Sequence, residues 1–229
     1  MNNPVNIFQR VEEKYFMDKK TKDKFFEDIK NYIDKDKYYE SKILSIYFDN
    51  DNKDIVRTSL DKPIYKDKVR LRSYGVPSID SNVFLEIKNK FDGVTGKRRI
   101  MLTLNEFYDY FYNNKIKDDQ IMKEIDYLVK YYNLKPNCFV GYDRLSYIGK
   151  DDLTLRITVD SNLRSRLNDL KLEDGDYGNK YFEDDIYIME IKTLNSMPIW
   201  LTKELSKLKI FPISFSKYGE VYKKEVNYA

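Results

Sequence analysis

Residues 68–72 read Lys68-Val69-Arg70-Leu71-Arg72, and residues 84–90 read Phe84-Leu85-Glu86-Ile87-Lys88-Asn89-Lys90. A third stretch, Met189-Glu190-Ile191-Lys192, repeats the pattern late in the chain. Successive side chains of a β-strand point to opposite faces of the sheet. Each stretch therefore predicts a strand with apolar residues on one face and charged residues on the other.

The alternation recurs in at least six segments of the chain, and cations outnumber carboxylates on the charged face. The side chains that it places there are Arg10, Glu12, Lys14, Arg70, Arg72, Glu86, Lys88, Lys90, Lys97, Arg99, Arg144, Arg156, Glu190, Lys192 and Lys217. Two interpretations are open. An antiparallel sheet often exposes one face to water, and a charged face can also line a site for a highly anionic ligand. Recurrence favours the anion site without excluding the solvated face.

The residue types on the charged face fit the handling of polyphosphate. Arginine binds phosphate oxygens with a two-pronged fork, and lysine adds point charges. Carboxylates among these cations would be out of place in a pure anion site, but they can bind Mg²⁺ or Mn²⁺ that bridges phosphate oxygens. Phosphoryl transfer depends mainly on alignment and charge neutralisation, which such a set supplies.

Composition excludes several classes of chemistry. The chain has 229 residues and no histidine, so Ser-His-Asp and Cys-His catalysis and histidine-ligated zinc are excluded. The net charge is only +3, so an anion site must arise from local sorting of charge. The single cysteine, Cys138, excludes an intramolecular disulfide framework and fits a reducing compartment.

The sequence predicts a soluble cytoplasmic protein with one domain over residues 1–229. No run approaches the roughly 20 apolar residues of a membrane span, and the first residues do not resemble a signal peptide. Helices are predicted after Asp18, over 119–132 and from Pro198, and the polar stretch 169–185 is predicted to be a loop or lid. About eight strands with few helices indicate an antiparallel barrel. They are predicted at 8–16, 42–49, 68–74, 83–90, 97–104, 138–148, 153–160 and 186–192.

Nine short motifs, in order along the chain, together resemble one known family. They are Arg10-Val-Glu12-Glu-Lys14-Tyr15, Ser45-Ile-Tyr47-Phe-Asp49, Val69-Arg70-Leu-Arg72-Ser-Tyr-Gly75, Leu85-Glu86-Ile-Lys88, Lys97-Arg98-Arg99, Tyr142-Asp-Arg144, Leu155-Arg156-Ile-Thr-Val-Asp160, Met189-Glu190-Ile-Lys192 and Phe215-Ser216-Lys217-Tyr218. The chain resembles the VTC domain, the polyphosphate polymerase branch of the CYTH-like triphosphate tunnel metalloenzymes.

The resemblance implies an α+β, mainly β fold, with a closed eight-stranded antiparallel tunnel barrel and flanking helices. It implies that Glu190 is the main ligand of Mn²⁺ or Mg²⁺, and that Glu12 and Glu86 tune the site or help to position the metal. It also implies a set of phosphate and nucleotide ligands along the tunnel. These are Arg10, Lys14, Arg70, Arg72, Lys88, Lys90, Lys97, Arg99, Tyr142, Arg144, Arg156, Lys192, Ser216 and Lys217, with Lys14, Arg70, Arg72, Arg144, Arg156 and Glu190 as the catalytic set.

One departure bears on the reaction. The triphosphatase branch of the superfamily opens with Glu-x-Glu-x-Lys, whereas this chain has Arg10 in the first place. The resemblance therefore implies an ATP-dependent polyphosphate polymerase, with a metal-dependent triphosphatase or a non-catalytic polyphosphate- or nucleotide-binding module as alternatives. The expected partners are ATP, inorganic polyphosphate or triphosphate, and a separate membrane protein that would hold the enzyme at the inner membrane face. No specific nucleic acid is expected.

Overall fold

The computed structural model describes residues 10–61, 63–92, 94–182, 185–194 and 196–227. The strands are β1 (Arg10–Asp18), β2 (Ile33–Asp49), β3 (Tyr65–Tyr74), β4 (Asn82–Phe91), β5 (Val94–Thr103), β6 (Lys135–Gly149), β7 (Arg156–Arg166), β8 (Asn179–Lys180), β9 (Ile186–Leu194) and β10 (Pro212–Ile213). The helices are α1 (Lys19–Ile29), α2 (Asp54–Leu60), α3 (Leu104–Asn113), α4 (Gln120–Tyr131), α5 (Ile199–Lys207) and α6 (Lys217–Asn227). No helix in these described ranges is long and apolar enough to cross a bilayer.

The predicted fold class, a mainly β antiparallel architecture with flanking helices, is confirmed. The strand order is β10-β1-β9-β7-β6-β2-β3-β4-β5, with β8 paired to β7. Strands β1, β3, β4 and β9 pair antiparallel with their neighbours. Within the described residues, backbone hydrogen bonds do not join β10 to β5, so strand pairing does not make the predicted closure.

The chain divides into two compact units, each with its own core. The first unit comprises Met1–Ser41, Asp143–Ser161 and Phe182–Ser214, and the second comprises Lys42–Tyr142, Asn162–Tyr181 and Phe215–Ala229. Strands β2, β6 and β7 therefore contribute residues to both units. Each unit is described by itself below.

In the first unit, α1 and α5 pack on the apolar side of β1 and β9. The core includes Tyr15 from β1, Met189 from β9 and Leu201 from α5. Asp18 accepts a hydrogen bond from the Thr21 amide at 2.7 Å, which confirms the predicted N-terminal cap of α1.

In the second unit, α3 and α4 cover the apolar side of β2 to β5. Leu71 of β3, Leu85 of β4 and Phe107 of α3 are buried in this core. Thr103 and Glu106 form a reciprocal capping box at the start of α3, and Asp119 accepts from two amides at the start of α4. The predicted helix over 119–132 therefore agrees closely with α4.

Three elements differ from the sequence-based expectation. Strand β2 begins at Ile33, whereas it was predicted to begin at Lys42. Residues 34–41 were not predicted as part of the strand, because they have few apolar side chains and no clear alternation. Helix α2 was not predicted, since it has only seven residues. Residues 215–218 were interpreted only as a tail, but Lys217 begins helix α6, whose sequence is strongly polar.

The stretch predicted as a loop or lid is a loop organised around one arginine. Arg166 is 5% exposed, and its guanidinium lies 3.7 Å from the Phe139 ring centroid. It donates hydrogen bonds to four backbone carbonyls, at 2.7–3.1 Å, of Asp169, Lys171, Gly175 and Tyr177. Arg166 thus holds the backbone of residues 169–177, and Leu172 of the same stretch is buried in the core of the second unit.

The fully buried Asp49 joins the end of β2 to α2 and α6. Its carboxylate accepts hydrogen bonds from the amides of Ile55 and Val56 at 2.9 and 3.0 Å, and from the Tyr218 hydroxyl at 2.8 Å. Burial and the Asp49 charge raise the pKa of Tyr218 far above its ordinary value, so this hydroxyl keeps its proton.

Asp49→Ala is expected to lower the free energy of unfolding by about 3 kcal/mol, because it leaves several buried donors without an acceptor. Urea unfolding followed by circular dichroism measures the change. Asp51→Ala is the matched control, since the Asp51 side chain is 76% exposed and pairs with Lys135 at the surface. Equal, small losses in the two variants would contradict this account of Asp49.

Candidate functional site

The first unit brings six polar side chains to one face of β1, β9 and β7. Residues directly opposite each other in antiparallel strands share a face, with their Cβ atoms close together. The register gives two such rows, which are Lys14, Glu190 and Thr158, followed by Glu12, Lys192 and Arg156. Five of these six were predicted to share a face, and Thr158 was not.

Glu190 is a buried carboxylate surrounded by cations. It is 8% exposed, and Lys192 Nζ lies 2.9 Å from its Oε1. Burial by itself raises the pKa of a carboxyl, but the charges of Lys192, Lys14 and Arg144 outweigh burial and hold the pKa of Glu190 well below its usual range. Glu190 is therefore a fixed negative charge at any physiological pH.

Glu12 and Glu190 share one counter-charge. Lys192 Nζ lies 3.4 Å from Glu12 Oε1 as well as 2.9 Å from Glu190 Oε1. The described residues include no group of three or more acidic, cysteine or histidine side chains that could hold a metal without help. Mg²⁺ is commonly bound by one or two carboxylates together with substrate phosphates and water, so Glu190 and Glu12 fit a metal that arrives with phosphate.

Two further carboxylates in the first unit orient the arginines. Asp160 is 1% exposed and accepts from Arg144 Nε at 2.6 Å and from Nη2 at 2.8 Å, a bidentate pair. Asp36 forms an ion pair with Arg156. Neither aspartate was among the predicted site residues. Asp160 could have been predicted, because it lies on the same face of β7 as Arg156 in the two-residue alternation. Asp36 lies in the part of β2 that was not predicted as a strand.

In the second unit, a single carboxylate lies among three cations. Glu86 is 1% exposed, with Arg70 Nε 2.6 Å and Arg72 Nε 3.8 Å from its Oε2, and Lys97 Nζ 2.7 Å from its Oε1. Burial raises the pKa of the Glu86 carboxyl, but these three charges outweigh it and lower the pKa to about 2. Since cations occupy both of its oxygens, the contacts of Glu86 fit the positioning of Arg70 and Lys97 better than direct binding of a metal.

Tyrosines hold the cations of the second unit in place. Arg70 Nη1 donates to the Tyr47 hydroxyl at 3.2 Å, and Arg72 Nη2 donates to the Tyr142 hydroxyl at 3.4 Å. Lys217 Nζ lies 4.4 Å from the Tyr142 ring centroid, a cation–π contact. Tyr142 was predicted to be a hydrogen-bond donor, and here its hydroxyl oxygen accepts from Arg72.

The remaining predicted cations of the second unit follow the same face of β3, β4 and β5. Lys88 lies opposite both Lys68 and Lys97 in the register. Lys68 Nζ donates to Ser216 Oγ at 3.0 Å, so Lys68 joins the site although only Ser216 was predicted there. Lys90 is exposed. The guanidinium of Arg99 lies 4.7 Å from the Phe84 ring centroid.

Each unit holds part of the predicted site. In the first unit are Glu12, Lys14, Arg144, Arg156, Glu190 and Lys192, together with the backbone of Arg10, whose side chain lies outside the described residues. In the second unit are Arg70, Arg72, Glu86, Lys88, Lys90, Lys97, Arg99, Tyr142, Ser216 and Lys217. Both charged faces can neutralise a chain of phosphates, and both carry a buried carboxylate.

Lys97 has a shifted pKa. Its side chain is 40% exposed, but desolvation by the surrounding protein lowers the pKa of its ammonium to about 8, against the opposing attraction of Glu86. A lysine in an unfolded chain has a pKa of about 10.4. Between about pH 8 and about pH 10.4 the unfolded chain therefore binds more protons at this residue than the folded protein does. Over this range Lys97 makes the free energy of unfolding rise with pH. Over the same range the folded protein loses a positive charge that an anion would use.

We therefore expect the affinity for tripolyphosphate to fall as the pH rises from about 7 to about 9, roughly as expected for one titrating lysine. Lys97→Arg should remove most of this fall, because a guanidinium stays charged throughout. Isothermal titration of both proteins at each pH measures the two affinities. A change in the protonation of tripolyphosphate affects both proteins equally, so it cancels when their affinities are compared. Parallel pH profiles for the two proteins would contradict the role given to Lys97.

Comparison with known proteins identifies the family. The chain matches the VTC domain over residues 9–226, nearly its whole length. Vacuolar transporter chaperone complex subunit 4 of Schizosaccharomyces pombe is 29% identical over 148 residues, which cover 54% of this chain and 20% of that protein. The match thus spans about a fifth of the relative's length. This chain belongs to the VTC domain family.

Solved structures support the fold alone. A Bacillus halodurans protein, for which an adenylate cyclase activity has been suggested, aligns with a TM-score of 0.57 at 12% identity, covering 91% of this chain and 94% of its own. A Pyrococcus horikoshii OT3 protein aligns at 15% identity with a TM-score of 0.49, covering 94% of this chain and 99% of its own. The first likeness agrees with the mainly antiparallel architecture described above.

Proposed function

We propose that this protein is an ATP-dependent polyphosphate polymerase that transfers the γ-phosphate of ATP to a growing inorganic polyphosphate chain. The observation that carries the proposal is Glu190, a buried and ionised carboxylate whose neighbours are Lys14, Lys192 and Arg144. A pure anion binder gains little from such a group, since it repels phosphate. A buried carboxylate such as Glu190 is useful where a divalent cation accompanies the phosphates.

The cations of the chain would bind and align the phosphates. Arg144 is oriented by its bidentate pair with Asp160, and Arg70 is oriented by Glu86 and Tyr47. In each unit, a guanidinium group held in this way would neutralise the charge of phosphate bound on that unit's face without reorganising. When bound at Glu190, with Glu12 nearby, Mn²⁺ or Mg²⁺ would supply further neutralisation of phosphate oxygens.

The reaction that these residues would serve is an in-line displacement. An oxygen of the terminal phosphate of the growing polyphosphate forms a bond to the γ-phosphorus of ATP. The bond from that phosphorus to the β,γ-bridging oxygen breaks, and ADP leaves with the electron pair. The attacking oxygen is already ionised, so no general base is required, which is consistent with a chain that contains no histidine.

The sequence departure at Arg10 supports a phosphate acceptor over water. A cation at this position, in place of the glutamate of the triphosphatase branch, disfavours a second metal and favours an anionic acceptor. The proposal places synthesis in the cytoplasm, with a separate membrane protein as the partner that would export the product.

Incubation of the purified protein with ATP and Mn²⁺, followed by gel electrophoresis and measurement of ADP, tests the proposal. Long phosphate chains should form together with ADP, and EDTA should prevent both. Release of inorganic phosphate without chains would instead show a triphosphatase. Tight binding of polyphosphate with no metal-dependent turnover would show a binding module, and either of these results would overturn the polymerase.

A further inference from the structure

The hydroxyl of Thr158 is a buried polar group that forms no hydrogen bond with any of the described residues. Its Oγ1 is buried from solvent and has no hydrogen-bond partner among residues 10–61, 63–92, 94–182, 185–194 and 196–227. Leaving a buried donor without an acceptor is unfavourable, so buried hydroxyls are nearly always paired in native proteins. An unsatisfied one therefore needs an explanation from function or from the fold.

The position of Thr158 points to function. It lies on the charged face of β7, directly opposite Glu190 in the register, and Lys14 is the next residue in the same row. Its neighbours on that face of β7 are both paired, Arg156 with Asp36 and Asp160 with Arg144. The hydroxyl is thus a donor placed in the middle of a set of fixed charges.

The charges around Thr158 select the chemistry of the missing acceptor. Lys192 Nζ lies 2.9 Å from Oε1 of Glu190, and Arg144 donates hydrogen bonds to both carboxylate oxygens of Asp160. An acceptor brought by a ligand must sit next to Lys14, Lys192 and Arg144, which together favour an anionic oxygen. A phosphate oxygen has the charge, the size and the free lone pairs that this position requires.

We propose that Thr158 Oγ1 donates a hydrogen bond to a phosphate oxygen of the polyphosphate or nucleotide bound on this face, and so is an additional substrate-binding residue. The inference deepens the proposed function, on which it rests for the identity of the anion. Thr158 was absent from the ligands that the sequence indicated, because a threonine in a strand is usually there for its β propensity.

The chain offers a matched control in Thr193. It is also a buried threonine, 1% exposed, and its Oγ1 likewise has no partner within the described ranges. However, Thr193 follows Lys192 in β9 and therefore points to the opposite face, the side of Ile191. Removing either hydroxyl should leave folding intact or slightly improved, because valine has nearly the same shape and each removes an unpaired donor.

The test measures the binding of inorganic tripolyphosphate by isothermal titration, with EDTA and again with Mn²⁺. Thr158→Val should weaken binding about tenfold in both conditions, as expected for the loss of one hydrogen bond to a charged group. Thr158→Ser should retain most of the affinity, and Thr193→Val should bind like the wild type. The thermal shift that tripolyphosphate produces should be reduced in Thr158→Val alone.

Two results would overturn the inference. Wild-type affinity in Thr158→Val would show that the hydroxyl has no ligand role, and a loss seen only with Mn²⁺ would show that it acts on the metal instead. The synthesis assay separates this inference from the proposed function. Weaker tripolyphosphate binding in Thr158→Val, with a wild type that makes no chains, would retain the binding residue and reject the polymerase.

Discussion

Glu190→Gln is expected to reduce polyphosphate synthesis on the order of 100-fold or more, while the protein remains folded. The amide keeps the size of the side chain but removes the charge that would hold a divalent cation. It also leaves Lys14, Lys192 and Arg144 without their shared counter-charge. Tripolyphosphate binding in EDTA should therefore persist or strengthen, so that turnover and anion binding change in opposite directions.

Glu13→Gln is the control for this variant. Glu13 lies beside Glu12 in β1 but faces the other side of the strand, where it accepts from the Tyr15 hydroxyl. Steady-state rates across a Mn²⁺ titration, with binding measured in parallel, compare the two variants. Synthesis by Glu190→Gln at more than half the wild-type rate would contradict the role of Glu190 and the proposed function with it.

Arg70→Met should cost both stability and activity, and the two losses can be separated. Arg70 holds Glu86 at 2.6 Å, and Glu86 is 1% exposed. Removal of one partner from a buried ion pair typically destabilises a protein by about 3–5 kcal/mol, because the remaining charge stays buried. Because Lys97 and Arg72 remain beside Glu86, urea unfolding of the single variant should show a loss at or below the lower end of this range.

The double variant Arg70→Met/Glu86→Gln distinguishes a structural arginine from a functional one. Neutralising Glu86 as well should restore part of the stability, since the buried carboxylate is gone, although Arg72 and Lys97 then lose their counter-charge. Synthesis should stay strongly reduced, because the guanidinium that would neutralise phosphate is still missing. If the double variant regained synthesis together with stability, Arg70 would be a structural residue only.

The alternation of charged and apolar residues was sufficient to predict which side chains share a face. It correctly grouped Glu12, Lys14, Glu190 and Lys192 in β1 and β9, because the two-residue period of a strand is a local property. The helices at 119–132 and after Asp18 were predictable for a similar reason, since caps and apolar stripes are read over one or two turns.

The partners of the site residues could not be predicted, because they depend on long-range pairing. Asp36 meets Arg156 across 120 residues of sequence, and it lies in a stretch of β2 too polar to indicate a strand. The division of the chain into two units, each made of three separate segments, is equally non-local. The unsatisfied hydroxyl of Thr158 cannot be seen in the sequence, since only the packed protein shows that no acceptor in the described part of the chain reaches it.

Arg166 has a consequence for how this chain can change over time. It shapes residues 169–177 through carbonyl oxygens, which every amino acid possesses. An exposed position of the loop, such as Lys171, can therefore exchange one residue for another without losing its path, provided that the arginine remains. Leu172, which is buried in the core, and Glu173, which accepts from the Tyr108 hydroxyl, are held by their side chains as well and should change less.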